Sequence, residues 1–301
     1  MSGKEKMAVR MSLVMATLGR SKEIALMLDS LEAQTFKDFD VIIVDQNGDN
    51  RVADLLAAKP RPFPIQHVRA SARPADSRDG KAGASWARNI GAKHATGDIL
   101  GFPDDDCTYP SWFLDKVLQT FVKIGADVVN GRAADETGRS INGRFAERAR
   151  WMGRKDVFNT VIEWVFFCKR DAFEAVSGYN EKVGAGAPSP WQSCEGPEIV
   201  LRLMDKGYRA YYDPGIYAHH PELIVDTMDA RMQQKVRGYG RGMGYVLAKR
   251  NLGLFYSMNY MMRSLGGFLV YKAKGQQGRA TYYLNTLKGR IEGYRDGRKA
   301  A

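Results

Sequence analysis

Ile99-Leu100-Gly101-Phe102-Pro103-Asp104-Asp105-Asp106 is a short apolar run that stops on a proline and three successive carboxylates. The run from 99 to 102 reads as a buried strand, and Pro103, which has no N–H to give to a sheet, ends it. Three adjacent aspartates repel one another, so a bound cation is the natural compensation, against the plainer reading of a solvated acidic turn. Hard oxygen ligands point to Mg2+ or Mn2+. Magnesium usually takes one or two carboxylates together with substrate phosphates, which a nucleoside diphosphate would supply.

The same grammar runs upstream. Residues 11–16 form an apolar run ending at Thr17, and Ser21 precedes Ile24, Met27, Leu28 and Leu31 at helical spacing. The apolar stretch from Met7 is too short and too soon followed by charge to be a leader or a span, and is expected to open the core. Residues 39–44 are a β-branched run closing on Asp45, followed by the turn residues Gln46-Asn47-Gly48-Asp49. Residues 59–83, with four prolines, predict an irregular connection around a short strand at 65–68, and 85–95 a helix. Pro110 should open a helix bearing Phe113, Leu114, Val117, Leu118 and Phe121. Strands alternating with helices predict an α/β protein with a mostly parallel sheet, whose ligands bind beyond the carboxyl ends of strands, where Asp45 and the aspartate run fall.

Downstream, strands are expected at 126–129 and 164–168, and an Arg-rich mobile loop with helical pieces at 132–155. A short helix is expected at 171–176. Pro197 suits the first turn of a helix ending at Gly207, so Glu195 and Glu198 frame its N-terminus. Beyond Asp226 the pattern becomes long basic helices. Residues 226–301 hold 15 Lys or Arg against 4 Asp or Glu, so the formal net charge of +11 resides there and the remainder is neutral. That predicts an acidic partner for the tail, such as a membrane surface.

No apolar run reaches 18 residues, so no spanning helix is expected. The three cysteines, 107, 168 and 194, are odd in number and lack a CxxC pair, which disfavours a disulfide framework or zinc site and suits a reducing cytoplasm. A hydride-transfer enzyme is disfavoured because the loop after the first strand has one glycine instead of GxGxxG, and the glycines from 238 to 244 follow no strand and suit close helix packing. The tail's charge alone would fit a polyanion-binding protein, but no nucleic-acid motif accompanies it.

Taken in order, Ser30-Leu-Glu-Ala-Gln34-Thr35, Phe39-Asp-Val-Ile-Ile-Val-Asp45, Ala87-Arg88-Asn89-Ile-Gly91, Ala95-Thr-Gly-Asp98 and the aspartate run resemble family 2 of the inverting glycosyltransferases, which have a GT-A fold. Segments 170–179 and 202–209 and the ending Tyr217-Ala-His219-His220-Pro221 are similar to its acceptor-side elements. The resemblance implies a catalytic domain over 1–225, with a nucleotide-sugar half over about 1–106 and an acceptor half over about 107–225, and a basic helical extension over 226–301. It implies that Thr17 and Asp45 contact the nucleoside, that Arg88 and Asp105 contact the nucleotide sugar, and that Asp104 and Asp106 form a DxD metal site with His220 within reach of the metal or diphosphate.

It also implies transfer from a nucleoside-diphosphate sugar, most often a UDP-sugar, to a glycan or lipid-linked acceptor in cell-surface polysaccharide or glycolipid assembly. One departure stands out: many members have a Glu-Asp pair whose aspartate is the base, and this chain has Glu195-Gly196. The base is then Glu195 or Glu198; Glu195, ahead of the helix, is favoured, and Glu198 better fits a carboxylate facing the helix dipole. A sugar nucleotidyltransferase would want a glycine-rich loop after the first strand, which is missing. The tail is expected to make peripheral contact with the inner face of the membrane.

Overall fold

The computed structural model describes residues 9–70, 83–223, 225 and 228–300. Met7, Asp226 and residues 71–82 of the irregular connection expected over 59–83 lie outside them. Among the described residues eight strands, β1 (Met11–Thr17), β2 (Phe39–Asp45), β3 (Ile65–Arg69), β4 (Ile99–Gly101), β5 (Val128–Ala134), β6 (Arg150–Trp151), β7 (Phe166–Lys169) and β8 (Ala210–His219), form one sheet in the order β3-β2-β1-β4-β7-β5-β8-β6. At its centre β1 (Met11–Thr17) runs parallel to both β2 (Phe39–Asp45) and β4 (Ile99–Gly101), and β2 runs parallel to β3 (Ile65–Arg69). A strand covered on both faces needs apolar residues throughout, which is why these read as continuous runs. Leu13, Met15, Val41 and Ile43 face one core and Val14, Ile42 and Val44 the other.

The first core is closed by α1 (Lys22–Glu32) and α4 (Phe113–Ile124), the second by α3 (Ala84–Ala92) and α6 (Glu195–Asp205). Helix α3 lies so close that a Cβ on Gly91 would stand 2.4 Å from Val14 Cγ1. Helix α2 (Arg51–Ala58), which buries only Val52, was not anticipated.

The second half differs from expectation in detail. Strand β5 (Val128–Ala134) runs on through Arg132, and β6 (Arg150–Trp151) pairs with β8 (Ala210–His219) as an edge. The 132–155 segment therefore contributes strand, with no helix among its residues. The strand expected from 164 begins as a 3-10 turn over Glu163–Val165 and becomes β7 (Phe166–Lys169), which lies antiparallel between β4 and β5 and is followed by α5 (Arg170–Ala175).

The described residues of the tail fold into three helices, α7 (Ala230–Lys249), α8 (Leu254–Ala273) and α9 (Gln277–Ala300). Glycines let α7 and α9 approach to backbone contact: a Cβ on Gly293 would lie 2.0 Å from Arg241 O, and one on Gly244 2.2 Å from Arg290 O. The alternate glycines of α7 face the loop ahead of α6, where a Cβ on Gly242 would lie 2.3 Å from Ser193 O.

Candidate active site

Thr17 and Asp45 are register partners at the carboxyl ends of β1 and β2, and Asp104 bridges to Ala16 just beyond β4. The Thr17 hydroxyl donates to Asp105 Oδ2 at 2.7 Å. Asp45 is fully buried: its Oδ1 accepts from the Asn47 N–H at 2.9 Å and from Asn47 Nδ2 at 2.7 Å, and its Oδ2 lies 2.9 Å from His67 Nε2. The carboxylate thus closes the turn that follows β2, and the neighbouring His67 adds a group that the sequence did not flag.

Two pairings fix the loop that carries the aspartates. Gln34, fully buried, donates to Pro110 O at 2.9 Å and accepts from the Leu114 N–H at 3.0 Å, tying the loop to the end of α1. Thr108 and His219 exchange backbone hydrogen bonds of 3.0 and 2.9 Å, which carries the end of β8 onto the loop. His220 then lies with Nε2 3.2 Å from Asp106 Oδ1, its ring stacked on Trp164 at 4.2 Å between centroids. One ligand atom each from Asp104, Asp106 and His220 fall within 4.8 Å of one another. Two hard carboxylates and an imidazole, all partly exposed, suit Mn2+ or Mg2+.

Cations already surround this group. Arg20, from the loop after β1, pairs with Asp105 and, at 2.7 Å, with Asp106. Arg88, buried on α3, places NH2 2.5 Å from Asp104 Oδ1 and NH1 3.4 Å from Glu195 Oε1. Burial pushes the Asp105 carboxyl up to about 6 against the Thr17 hydrogen bond and Arg20. Burial works the same way on Asp106, but His220 and Arg20 outweigh it and hold that carboxyl low. Burial disfavours charge on His220, and Asp106 reverses this, leaving the imidazole raised.

Glu195 is buried at the start of α6, its Oε1 also 3.5 Å from the Ala185 N–H; burial raises its carboxyl and Arg88 opposes. Glu198 is placed elsewhere: Oε2 accepts from Arg202 Nε at 2.9 Å and Oε1 from Arg250, so both oxygens are committed to arginines outside the aspartate group. Arg20 and Glu163 are the charged residues that sequence reading missed. Glu163 accepts from the Gly196 N–H at 3.1 Å, and burial followed by the Glu195 charge lifts its carboxyl well above the usual range. Arg20's position just after an apolar strand was the available signal; for Glu163 there was none.

The profile described as Glycosyl transferase family 2 matches residues 12–173. An uncharacterized glycosyltransferase of Haemophilus influenzae is 33% identical over 109 residues, 36% of this chain and 33% of that protein, so the match spans about a third of that relative's length. The glucosyl-dolichyl phosphate glucuronosyltransferase of Haloferax volcanii is 25% identical over 70% of this chain and 69% of its own. Among solved structures, the Pyrobaculum calidifontis mannosyltransferase PcManGT, in complex with GDP-Man and Mn2+, superposes with a TM-score of 0.62 at 14% identity, over 96% of this chain and 88% of that one. Staphylococcus aureus TarS 1-349 with UDP-GlcNAc gives 0.54 at 16% identity, over 96% and 92%. These likenesses show the fold, the GT-A type expected from the sequence.

Proposed function

The chain belongs to glycosyl transferase family 2, and on that footing we propose that it moves a sugar, with inversion, from a nucleoside-diphosphate donor to an acceptor hydroxyl. The observation that carries the reading is the convergence of Asp104, Asp106 and His220 beside Thr17 and Asp45 at the carboxyl ends of the parallel strands. In this reading Thr17 and Asp45 hold the nucleoside, while Arg88 and Asp105 orient the donor sugar. Asp104, Asp106 and His220 would hold a divalent cation, Mn2+ or Mg2+, which would supply charge neutralisation for a departing diphosphate. Arg20 and Arg88 add fixed positive charge on the same side. The acceptor hydroxyl loses its proton to a carboxylate at the start of α6, with Glu195 on the helix itself and Glu163 reaching it from the turn before β7.

The relatives support a nucleotide sugar: one solved neighbour is bound to GDP-Man with Mn2+ and another to UDP-GlcNAc. Uridine is the first choice from the sequence resemblance. The Haloferax relative is named for a lipid-linked phosphate, which favours a lipid-linked or growing glycan acceptor here. Thermal shift with UDP, dTDP and GDP, each with and without Mn2+, tests the reading. A chain stabilised by none of them in the presence of Mn2+ is not a transferase of this kind.

For the tail the same reading includes peripheral docking on an anionic membrane surface. Among the described residues no helix is long and apolar enough to cross a membrane. Helix α8 nonetheless exposes Leu254, Phe255, Met258, Met262, Leu269 and Val270, with Phe255 87% exposed, and α7 and α8 contain no Asp or Glu. Apolar insertion assisted by Lys and Arg, each worth about 1 kcal/mol near an anionic leaflet, suits an interfacial helix. Full-length protein should sediment with anionic vesicles and come off as salt rises; equal recovery from anionic and neutral vesicles at low salt removes this part of the proposal.

A further inference from the structure

Gly196 is the second residue of α6, and its surroundings are occupied by another side chain. A Cβ built there would stand 3.1 Å from Glu163 Oε1, 3.3 Å from Glu163 Cδ and 3.0 Å from Val161 Cγ1. The Gly196 N–H donates to the same Oε1 at 3.1 Å. The Glu163 carboxylate thus fills the space a side chain at 196 would take, and the glycine makes that possible. The location also favours a carboxylate electrostatically, since it caps a free N–H in the first turn of a helix.

Glu195 is less available. It is 6% exposed, Arg88 NH1 and the Ala185 N–H both approach its Oε1, and a Cβ on Gly184 would lie 2.8 Å from its Cδ, so the 184–185 loop covers it. Glu163 is partly exposed. Within the glycosyl-transfer reading given above, on which this rests, we propose that Glu163 is the catalytic base, and that Glu195 is a positioning residue that holds Arg88 against Asp104. The acceptor O–H bond breaks with its proton passing to the Glu163 carboxylate. The acceptor oxygen forms the new bond to the anomeric carbon, and the bond from that carbon to the diphosphate oxygen breaks, its electron pair leaving with the diphosphate. The surroundings of Glu163, with the Glu195 charge beside it, raise its carboxyl, which suits a proton acceptor.

The test uses the full chain with Mn2+ and a panel of UDP-glucose, UDP-GlcNAc and GDP-mannose, reading release of nucleoside diphosphate with water as acceptor. Affinity for that diphosphate is measured by calorimetry alongside. Glu163→Gln and Glu163→Ala should each slow release about a hundredfold or more while diphosphate affinity stays within about twofold, because only the proton acceptor is lost. Adding Gly196→Asp to Glu163→Ala puts a carboxylate back into the same space from the helix side and should recover release to within about tenfold of wild type. A Glu163→Gln enzyme slowed less than about tenfold, with Glu195→Gln the dead variant, would return the base to Glu195. Loss of diphosphate affinity together with rate, or a double variant no faster than Glu163→Ala, would overturn the proposal in favour of a structural role. Wild-type protein that binds no diphosphate defeats the transferase reading itself, and this inference with it.

Discussion

Substituting glycine by alanine should have opposite signs on two helices of the tail. Gly266 lies in the exposed middle of α8, and a Cβ there meets nothing within 4 Å. Gly266→Ala should therefore add about 0.8–1 kcal/mol, the helix-propensity difference. Gly293 on α9 gains the same propensity, but its Cβ would lie 2.0 Å from Arg241 O and 2.8 Å from Arg241 Cα. That is roughly 1.5 Å short of a normal non-bonded separation. The obstruction is backbone, so relief requires parting α7 from α9, and the close approaches at Gly240, Gly244 and Gly297 loosen with it. Overpacking of this kind costs about 1–3 kcal/mol. With the whole contact affected, the upper end applies, and Gly293→Ala should lose about 2 kcal/mol net after the propensity gain. Urea unfolding of both variants beside wild type reads the difference directly, as midpoints displaced in opposite directions. A Gly293→Ala protein as stable as wild type, or stabilised like Gly266→Ala, would refute the close helix contact.

Three further outcomes follow from the site. Asp106→Ala should abolish Mn2+-dependent binding of the diphosphate by calorimetry, and because Arg20 and His220 lose their partner it should also cost some stability, so the affinity is read on folded protein; unchanged metal-dependent affinity would remove Asp106 from the site. Glu198→Gln should lower stability by about 2–3 kcal/mol, because a buried carboxylate shared by Arg202 and Arg250 loses its charge. Diphosphate release per folded molecule should be little changed, and a dead but stable Glu198→Gln would contradict its placement. In metal-free protein the His220 pKa is raised, so its pairing with Asp106 stabilises fully below the unfolded imidazole value of about 6.5 and is lost as pH rises through the higher folded value. A cation must displace that proton, so Mn2+ affinity should climb between about pH 6 and 8 in wild type, measured by titration, with a flatter profile in His220→Asn.

The central sheet was legible because β1, β2 and β4 are covered on both faces, which forces unbroken apolar runs. The aspartate run was legible because it follows such a strand without a spacer. Strand β8 was harder to see: Asp213-Pro214-Gly215 interrupts it with turn residues, and its register against β5 shifts between Asn130 and Arg132. The end of β8 was seen only through the resemblance, at His219-His220-Pro221. Arg20 and Glu163 escaped notice because their roles arise where segments meet in space, and no periodicity in a loop encodes that. The Gly196 departure was visible as an absence, while the side chain that fills the gap comes from 33 residues upstream.

The tail and the site are joined by the loop that leads into α6. Trp191 of that loop stacks on Tyr245 of α7 at 3.6 Å and donates from its indole nitrogen to Asp296 of α9 at 3.2 Å. Gln192 N donates to Gly238 O at 3.2 Å, and the Ser193 hydroxyl donates to Tyr239 O at 2.8 Å. Four contacts thus anchor the three residues ahead of Cys194, whose left-handed backbone, φ 70°, turns the chain into the helix bearing Glu195 and Gly196. On the tail side of the seam Glu292 is paired with Arg237 and Arg241 and Asp296 accepts from Trp191, while α8 carries no Asp or Glu. Helix α8 packs on α9 and α9 on α7, so direct packing joins α8 to the loop that leads into Glu195 and Gly196. Removing the Trp191 stack by Trp191→Ala should therefore weaken acceptor-dependent release more than diphosphate affinity, since Thr17, Asp45 and Asp104 to Asp106 are anchored by β1, β2 and β4 and have no part in that seam.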